Sequence, residues 1–173
     1  MNNRQIGIYD TGATHVANGF KFEEATIALR YGLVLKDILR ARQFEVFMTR
    51  DDVRDHTPVG KRASMAKNAG CSIFVSLHLN DFDDDSANGL EVLYRDNDDK
   101  PLAQKMQDAL IKVTKMRDDR TIKQRSDLGV LKFVGKAILI ELGFVANDAD
   151  RAKLLDAQIR ESICQTIADV LVQ

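Results

Sequence analysis

The sequence predicts an α/β fold: a mainly parallel, twisted sheet of about six strands with helices on both faces. Short runs of Ile, Val and Leu alternate along the chain with longer segments whose apolar residues recur at helical spacing. Two of the short runs, IFVSLHLN (73–80) and AILIELGF (137–144), are almost continuously apolar, as strands buried on both faces are. At 173 residues the chain has the length of one ordinary domain, so a single catalytic-sized unit spanning 1–173 is expected.

The elements follow in order. QIGIYD (5–10) reads as a first strand, and a loop rich in Gly, Thr and Asn follows it up to Phe22. From about Glu23 to Arg42, Ala28, Tyr31, Leu35, Ile38 and Leu39 mark one face of a helix whose first-turn acids suit the helix dipole. FEVFMT (44–49) is the next expected strand, followed by a polar loop, a helix near 60–69 and the strand 72–79. GLEVLY (89–94) has a more mixed pattern and is expected to be antiparallel or at a sheet edge. Leu102, Met106, Leu110 and Val113 mark a further helix, AILIEL (137–142) a further strand, and Ile159, Ile163, Ile167, Val170 and Leu171 a terminal helix.

Composition narrows the function. Hydrophobic residues at 45% and charged residues at 29% describe an ordinary globular chain, with no stretch that spans a bilayer. A formal net charge of −1 argues against a nucleic-acid-binding surface. The one basic stretch, KVTKMRDDRTIKQR (112–125), reads as a helix end and solvated loop. Cys71 and Cys164 are too few and too far apart for a disulfide framework or a metal knuckle and read as core residues. The N-terminal apolar run is too short for a signal peptide, so synthesis in the cytoplasm without one is expected.

Chemistry begins with His78 and Glu141, one reactive side chain in each of the two most apolar runs. Desolvated without a partner, either would cost several kcal/mol, so each must be hydrogen-bonded, ion-paired or metal-bound. Both lie toward the carboxyl ends of their strands, where open α/β sheets carry their sites. Asp10-Thr11-Gly12-Ala13 resembles an aspartic-protease signature, but that fold is all-β and this chain is rich in helical patterns. The acidic loop 80–89 lacks the glycine and terminal glutamate of an EF-hand, and no Walker A, GxGxxG or GxSxG motif is present.

A zinc centre remains. His15, Glu24 and His78 would make a His₂Glu ligand set with an open position, leaving Glu141 as general base. The plainer alternatives are a helix-start acid for Glu24 and a polar loop residue for His15. His56, in a charged loop, is a poor substitute.

Several ordered segments then carry a resemblance over nearly the whole chain. These are FEVFMTR with the later Arg62, IFVSLHLN, GLEVLY, and AILIELGFVANDAD with its trailing acid. Together they resemble the zinc-dependent N-acetylmuramoyl-L-alanine amidases of the Amidase_3 type, found in bacterial cell-wall hydrolases and phage endolysins. The resemblance implies Zn²⁺ as cofactor, Glu24 and His78 as ligands and Glu141 as catalytic acid/base. It also implies a reaction, hydrolysis of the amide between the lactyl group of N-acetylmuramic acid and L-alanine in peptidoglycan. Asn80 and the turn containing Gly143 match the family pattern in a supporting structural role.

The departure is at the first ligand. Members of that family usually carry a histidine directly after a DPG-like turn, whereas here Ala13 follows the turn and His15 comes two positions later. Either the loop register has shifted and His15 binds the metal, the reading favoured here, or the first ligand is lost. The chain is accordingly expected to be a monomeric phage-type lysis enzyme with no nucleic-acid partner and no membrane anchor, reaching the cell wall after release. The alternative is a degenerate amidase fold that binds muropeptide or a protein partner without cleaving.

Overall fold

The structure is a computed structural model and describes residues 10–53, 55, 57–82, 84–116 and 119–172. Most of the first expected strand, and His56, lie outside the described residues. The first elements described form a hairpin of Thr14–Ala17 (β1) and Phe20–Glu23 (β2). It turns on Asn18 and Gly19, both with positive φ (52° and 78°), the backbone that an Asn-Gly hairpin turn requires. A loop was expected here, so the hairpin is a correction: its Asn-Gly signal sat among residues too polar to read as strands.

Glu24–Ala41 forms α1, Val59–Asn68 α2, Ile73–Asn80 β3 and Leu90–Tyr94 β4. Lys100–Thr114 (α3), Asp119–Gln124 (β5), a 3₁₀ turn at Gly129–Lys132, and Lys136–Phe144 (β6) follow, then Asp148–Leu155 (α4) and Ala157–Leu171 (α5). The described sheet has four strands in the order β3-β6-β4-β5. It is mixed: β3 with β6 and β4 with β5 are parallel, while β4 runs antiparallel to β6.

The sheet departs from expectation at several points. The sheet has four described strands rather than about six, and it is mixed: two of its three pairings are parallel, and β4 reverses direction against β6. β4 is antiparallel as expected but lies inside the sheet, with all five residues buried. Residues 44–49 make no strand with any described residue, so no ladder exists among those residues to define one. The stretch expected to be a helix end and loop contains β5, an edge strand whose polar, half-exposed sequence hid it.

Side-chain alternation divides the core between the two faces of the sheet. On one face Ile138, Ile140 and Leu142 of β6 pack with Val92 and Tyr94 of β4 against α1, α3 and α5, through Ile27, Tyr31, Met106, Leu110, Ile163 and Ile167. On the other face Phe74, Leu93 and Leu139 pack against Ala66 of α2 and against Val130, Leu131 and Phe133 of the 3₁₀ segment. Helices on both faces are therefore present, as expected. Cys164 is buried and Cys71 half-buried, both as free thiols. No helix among the described residues is long and apolar enough to cross a membrane.

The carboxyl end of β6 is pinned by a buried acid. Asp150, 2% exposed, accepts the amides of Gly89 (2.8 Å) and Phe144 (3.1 Å) on one oxygen, tying the start of β4 to the end of β6. Gly143 beside it has φ +153°, and a Cβ there would come within 3.2 Å of that same oxygen. Asp150→Ala leaves two buried amides without acceptors and is expected to cost about 2–4 kcal/mol. Urea denaturation would show this as a lower midpoint at unchanged slope; an unchanged midpoint would mean that the amides find other acceptors.

Candidate functional site

Register brings the chemistry together. His78 of β3 is paired with Glu141 of β6, and Glu141 is paired on its other side with Glu91 of β4. Directly paired residues share a face, so His78, Glu141 and Glu91 form a row across three adjacent strands. The row lies on the face of Phe74, Leu93 and Leu139, beyond the point where that core is filled. It sits toward the carboxyl ends of β3 and β6, as expected for His78 and Glu141.

Glu141 is half-buried, and its Oε2 is buried with no hydrogen-bond partner among the described residues. Burial pushes its carboxyl up to about 7; the charges of Glu24 and Glu91 add to this, while His78 and Arg125 partly offset it. A carboxyl with that value exchanges a proton readily at neutral pH, as a general acid/base must.

Glu24 opens α1, with the hairpin immediately before it, and is 8% exposed. Its Oε1 accepts from His78 Nδ1 (2.6 Å) and, at longer range, from the amide of Leu79 (3.4 Å), while Oε2 accepts from the amide of Ala13 (2.8 Å). Because a carboxylate only accepts, His78 carries its proton on Nδ1, and Nε2 meets Ser76 Oγ at 3.0 Å. Burial pushes the Glu24 carboxyl up, but the hydrogen bond and charge of His78 and the amides of Ala13 and Leu79 outweigh it and hold the carboxyl below its usual range. The Asp10-Thr11-Gly12 turn makes this approach possible: Asp10 Oδ1 accepts the Gly12 amide (3.0 Å), and a Cβ on Gly12, at φ +68°, would lie 2.2 Å from Glu24 Oε2. The DTGA segment is thus a glutamate cradle in an α/β fold.

His15 stands apart. It is half-buried in β1, paired with Phe22, and its imidazole makes no hydrogen bond with a described residue. Among the described residues no group of three or more His, Cys, Asp or Glu side chains is arranged to hold a metal ion. Glu24 and His78 therefore supply two zinc-type donors that face each other, and Ala13 beside them contributes only its backbone amide, to Glu24. Two donors fall short of the three protein ligands of a catalytic zinc centre.

The fold and the row can be set beside known proteins. The Amidase_3 family profile, N-acetylmuramoyl-L-alanine amidase, matches residues 6–173. The chain belongs to this family. It is 34% identical over 119 residues to an uncharacterized cell wall amidase of Bacillus anthracis, a match covering 63% of this chain and 22% of that protein. It is 27% identical over 151 residues to a probable cell wall amidase, LytH, of Staphylococcus epidermidis, covering 87% of this chain and 49% of that protein. The chain thus spans half or less of the length of these two relatives. Among solved structures, the catalytic domain of the N-acetylmuramoyl-L-alanine amidase CwlV from Bacillus (Paenibacillus) polymyxa var. colistinus superposes with a TM-score of 0.85 at 27% identity, covering 94% of this chain and 89% of that one.

In this amidase-family chain the row also holds residues that the sequence reading passed over. Glu91, 6% exposed, accepts from Asn80 Nδ2 (3.1 Å), from Arg120 Nε (3.0 Å) and from Lys123 Nζ. A carboxylate in the middle of GLEVLY was the available signal, of the same kind that singled out Glu141. Asn80 keeps its supporting role through this bond, and its carbonyl also accepts the Val145 amide (3.2 Å). Arg50, in the FEVFMTR segment, donates from Nη2 to the Ala25 carbonyl (2.6 Å) at the start of α1.

The raised Glu141 carboxyl has a consequence for metal-free protein. Its folded value near 7 lies above the ordinary 4.5, so as pH rises the unfolded chain gives up this proton first. Stability from this group is full below pH 4.5, falls between 4.5 and about 7, and is level above that. With chelator present, Glu141→Gln is expected to be more stable than the parent by roughly 2–3 kcal/mol at pH 8 and similar to it at pH 4. A stability difference that does not change with pH would show that ionisation of this carboxyl is not its source.

Proposed function

We propose that this chain is a peptidoglycan hydrolase that cleaves the amide between the lactyl group of N-acetylmuramic acid and the L-alanine of the stem peptide, with Glu141 as general acid/base. The observation that carries the reading is the half-buried Glu141 carboxyl, its Oε2 without a hydrogen-bond partner among the described residues, poised near neutrality beside His78. As a base it takes the proton of the attacking water, and as an acid it returns it to the leaving amine of L-alanine. Two other carboxylates of the site, Glu24 beside the row and Glu91 within it, are both committed to donors.

Zinc is part of the proposal as the family implies it, a Lewis acid that polarises a carbonyl and acidifies a bound water. Glu24 and His78 are its proposed ligands. His15 is the proposed third, and it joins them only through a rearrangement of the β1–β2 hairpin. A second reading, a degenerate amidase that binds muropeptide without cleaving it, is favoured by one observation. Both oxygens of Glu24 are already taken, by His78 and by the Ala13 amide.

Zinc content measured alongside release of L-alanine amino termini from purified peptidoglycan separates the two. One zinc per chain with release, both lost in His15→Ala, is the expected result. Well under one zinc with no release, and recovery of both in Ala13→His, would establish the binding-only reading. For the catalytic role, Glu141→Ala is expected to keep its metal and lose turnover by at least about a hundredfold. Loss of the metal in that variant would make Glu141 a ligand instead.

A further inference from the structure

β5 contains an irregularity next to the row. Its register against β4 shifts between the pairs Leu90–Asp119 and Val92–Ile122, and Thr121 sits in the left-handed region at φ 62°. In a regular strand residues 120 and 123 point to opposite faces. The extra residue reverses that parity, so Arg120 and Lys123 both reach Glu91, while Ile122 stays against the main core. A β-branched residue with positive φ is a strained choice, and such strain persists where the surroundings enforce it, often beside a site.

The result is two cations on one buried carboxylate, a local surplus of one positive charge next to Glu141. Arg120 is held from two sides, by its Nε on Glu91 and by its guanidinium 5.0 Å from the centre of the Phe144 ring. Its two Nη groups have no partner among the described residues, and its side chain is 29% exposed. Lys123 is 45% exposed and has ammonium protons to spare. Arg125, the next cation along the strand, is occupied instead by a two-bond pair with Asp127. A guanidinium fixed in orientation with a free two-donor edge is built to accept a carboxylate.

We propose that Arg120, assisted by Lys123, forms an anion subsite that binds a free carboxylate of the stem peptide, on the residue following L-alanine, and so positions the scissile amide at Glu141. This rests on the peptidoglycan reading above. Arg120 is a positioning and specificity residue in this scheme, and Glu91 is the anchor that orients it.

The test uses the full chain carrying Glu141→Gln, so that binding is read without turnover, and two soluble muropeptides that differ only in a carboxylate or a carboxamide on that second residue. Calorimetry is expected to show the carboxylate form bound about tenfold or more tightly, with the preference lost in Arg120→Gln and reduced in Lys123→Gln. Arg120→Lys keeps the charge on Glu91 but not the two-donor edge, and it is expected to lose most of the preference while melting like the parent. Equal binding of the two peptides by the Glu141→Gln chain, or a preference that survives Arg120→Gln, would overturn the subsite while leaving the amidase reading intact. Binding of neither peptide would remove the muropeptide reading and the subsite together.

Discussion

The site depends on the register of β6 between its two neighbours. His78 and Glu91 come from strands that run in opposite directions, and only the pairing of both with Glu141 sets the three in one line on one face. A slip of one residue would send any of them into the opposite core, among Ile138, Ile140 and Leu142. The apolar alternation that buries those residues therefore also keeps the acid and the imidazole in line. The Asp150 staple and the Gly143 backbone hold the same register at the carboxyl end.

The acids of the site are divided by the company each keeps. Glu24 has an imidazole and two amides and stays ionised; Glu91 has an amide nitrogen and two cations; Glu141 has burial and like charges and is the one that holds a proton near neutrality. Three acids on one small patch thus have three different sets of partners, with no difference in their own chemistry. The proposed role of Glu141 in proton transfer rests on this division.

Much of this was legible in the chain. His78 and Glu141 could be read because a charged or polar group inside an unbroken apolar run needs a reason to be there. Glu24 could be read because the helix pattern begins at that point. The β1–β2 hairpin and β5 were not legible by hydrophobicity, since both lie at the periphery and bury little. The hairpin's signal was the Asn-Gly turn, and β5 offered only Ile122 in the main core. The pairing of Arg120 and Lys123 on Glu91 had no sequence signal, because it arises from a register shift that only the folded ladder contains. The departure from the family pattern at Ala13 was visible in the chain, and there the backbone of that residue, not its side chain, meets Glu24.

The bulge in β5 also bears on how this region tolerates change in length. Surface segments ordinarily absorb the gain or loss of a residue with little effect. Here a single deletion near Thr121 would restore regular alternation, set Arg120 and Lys123 on opposite faces, and leave Glu91 a buried carboxylate with half its neutralisation. Length in this short edge strand is therefore under the same constraint as side-chain identity in the core, and relatives that keep both cations on the glutamate must keep the extra residue as well.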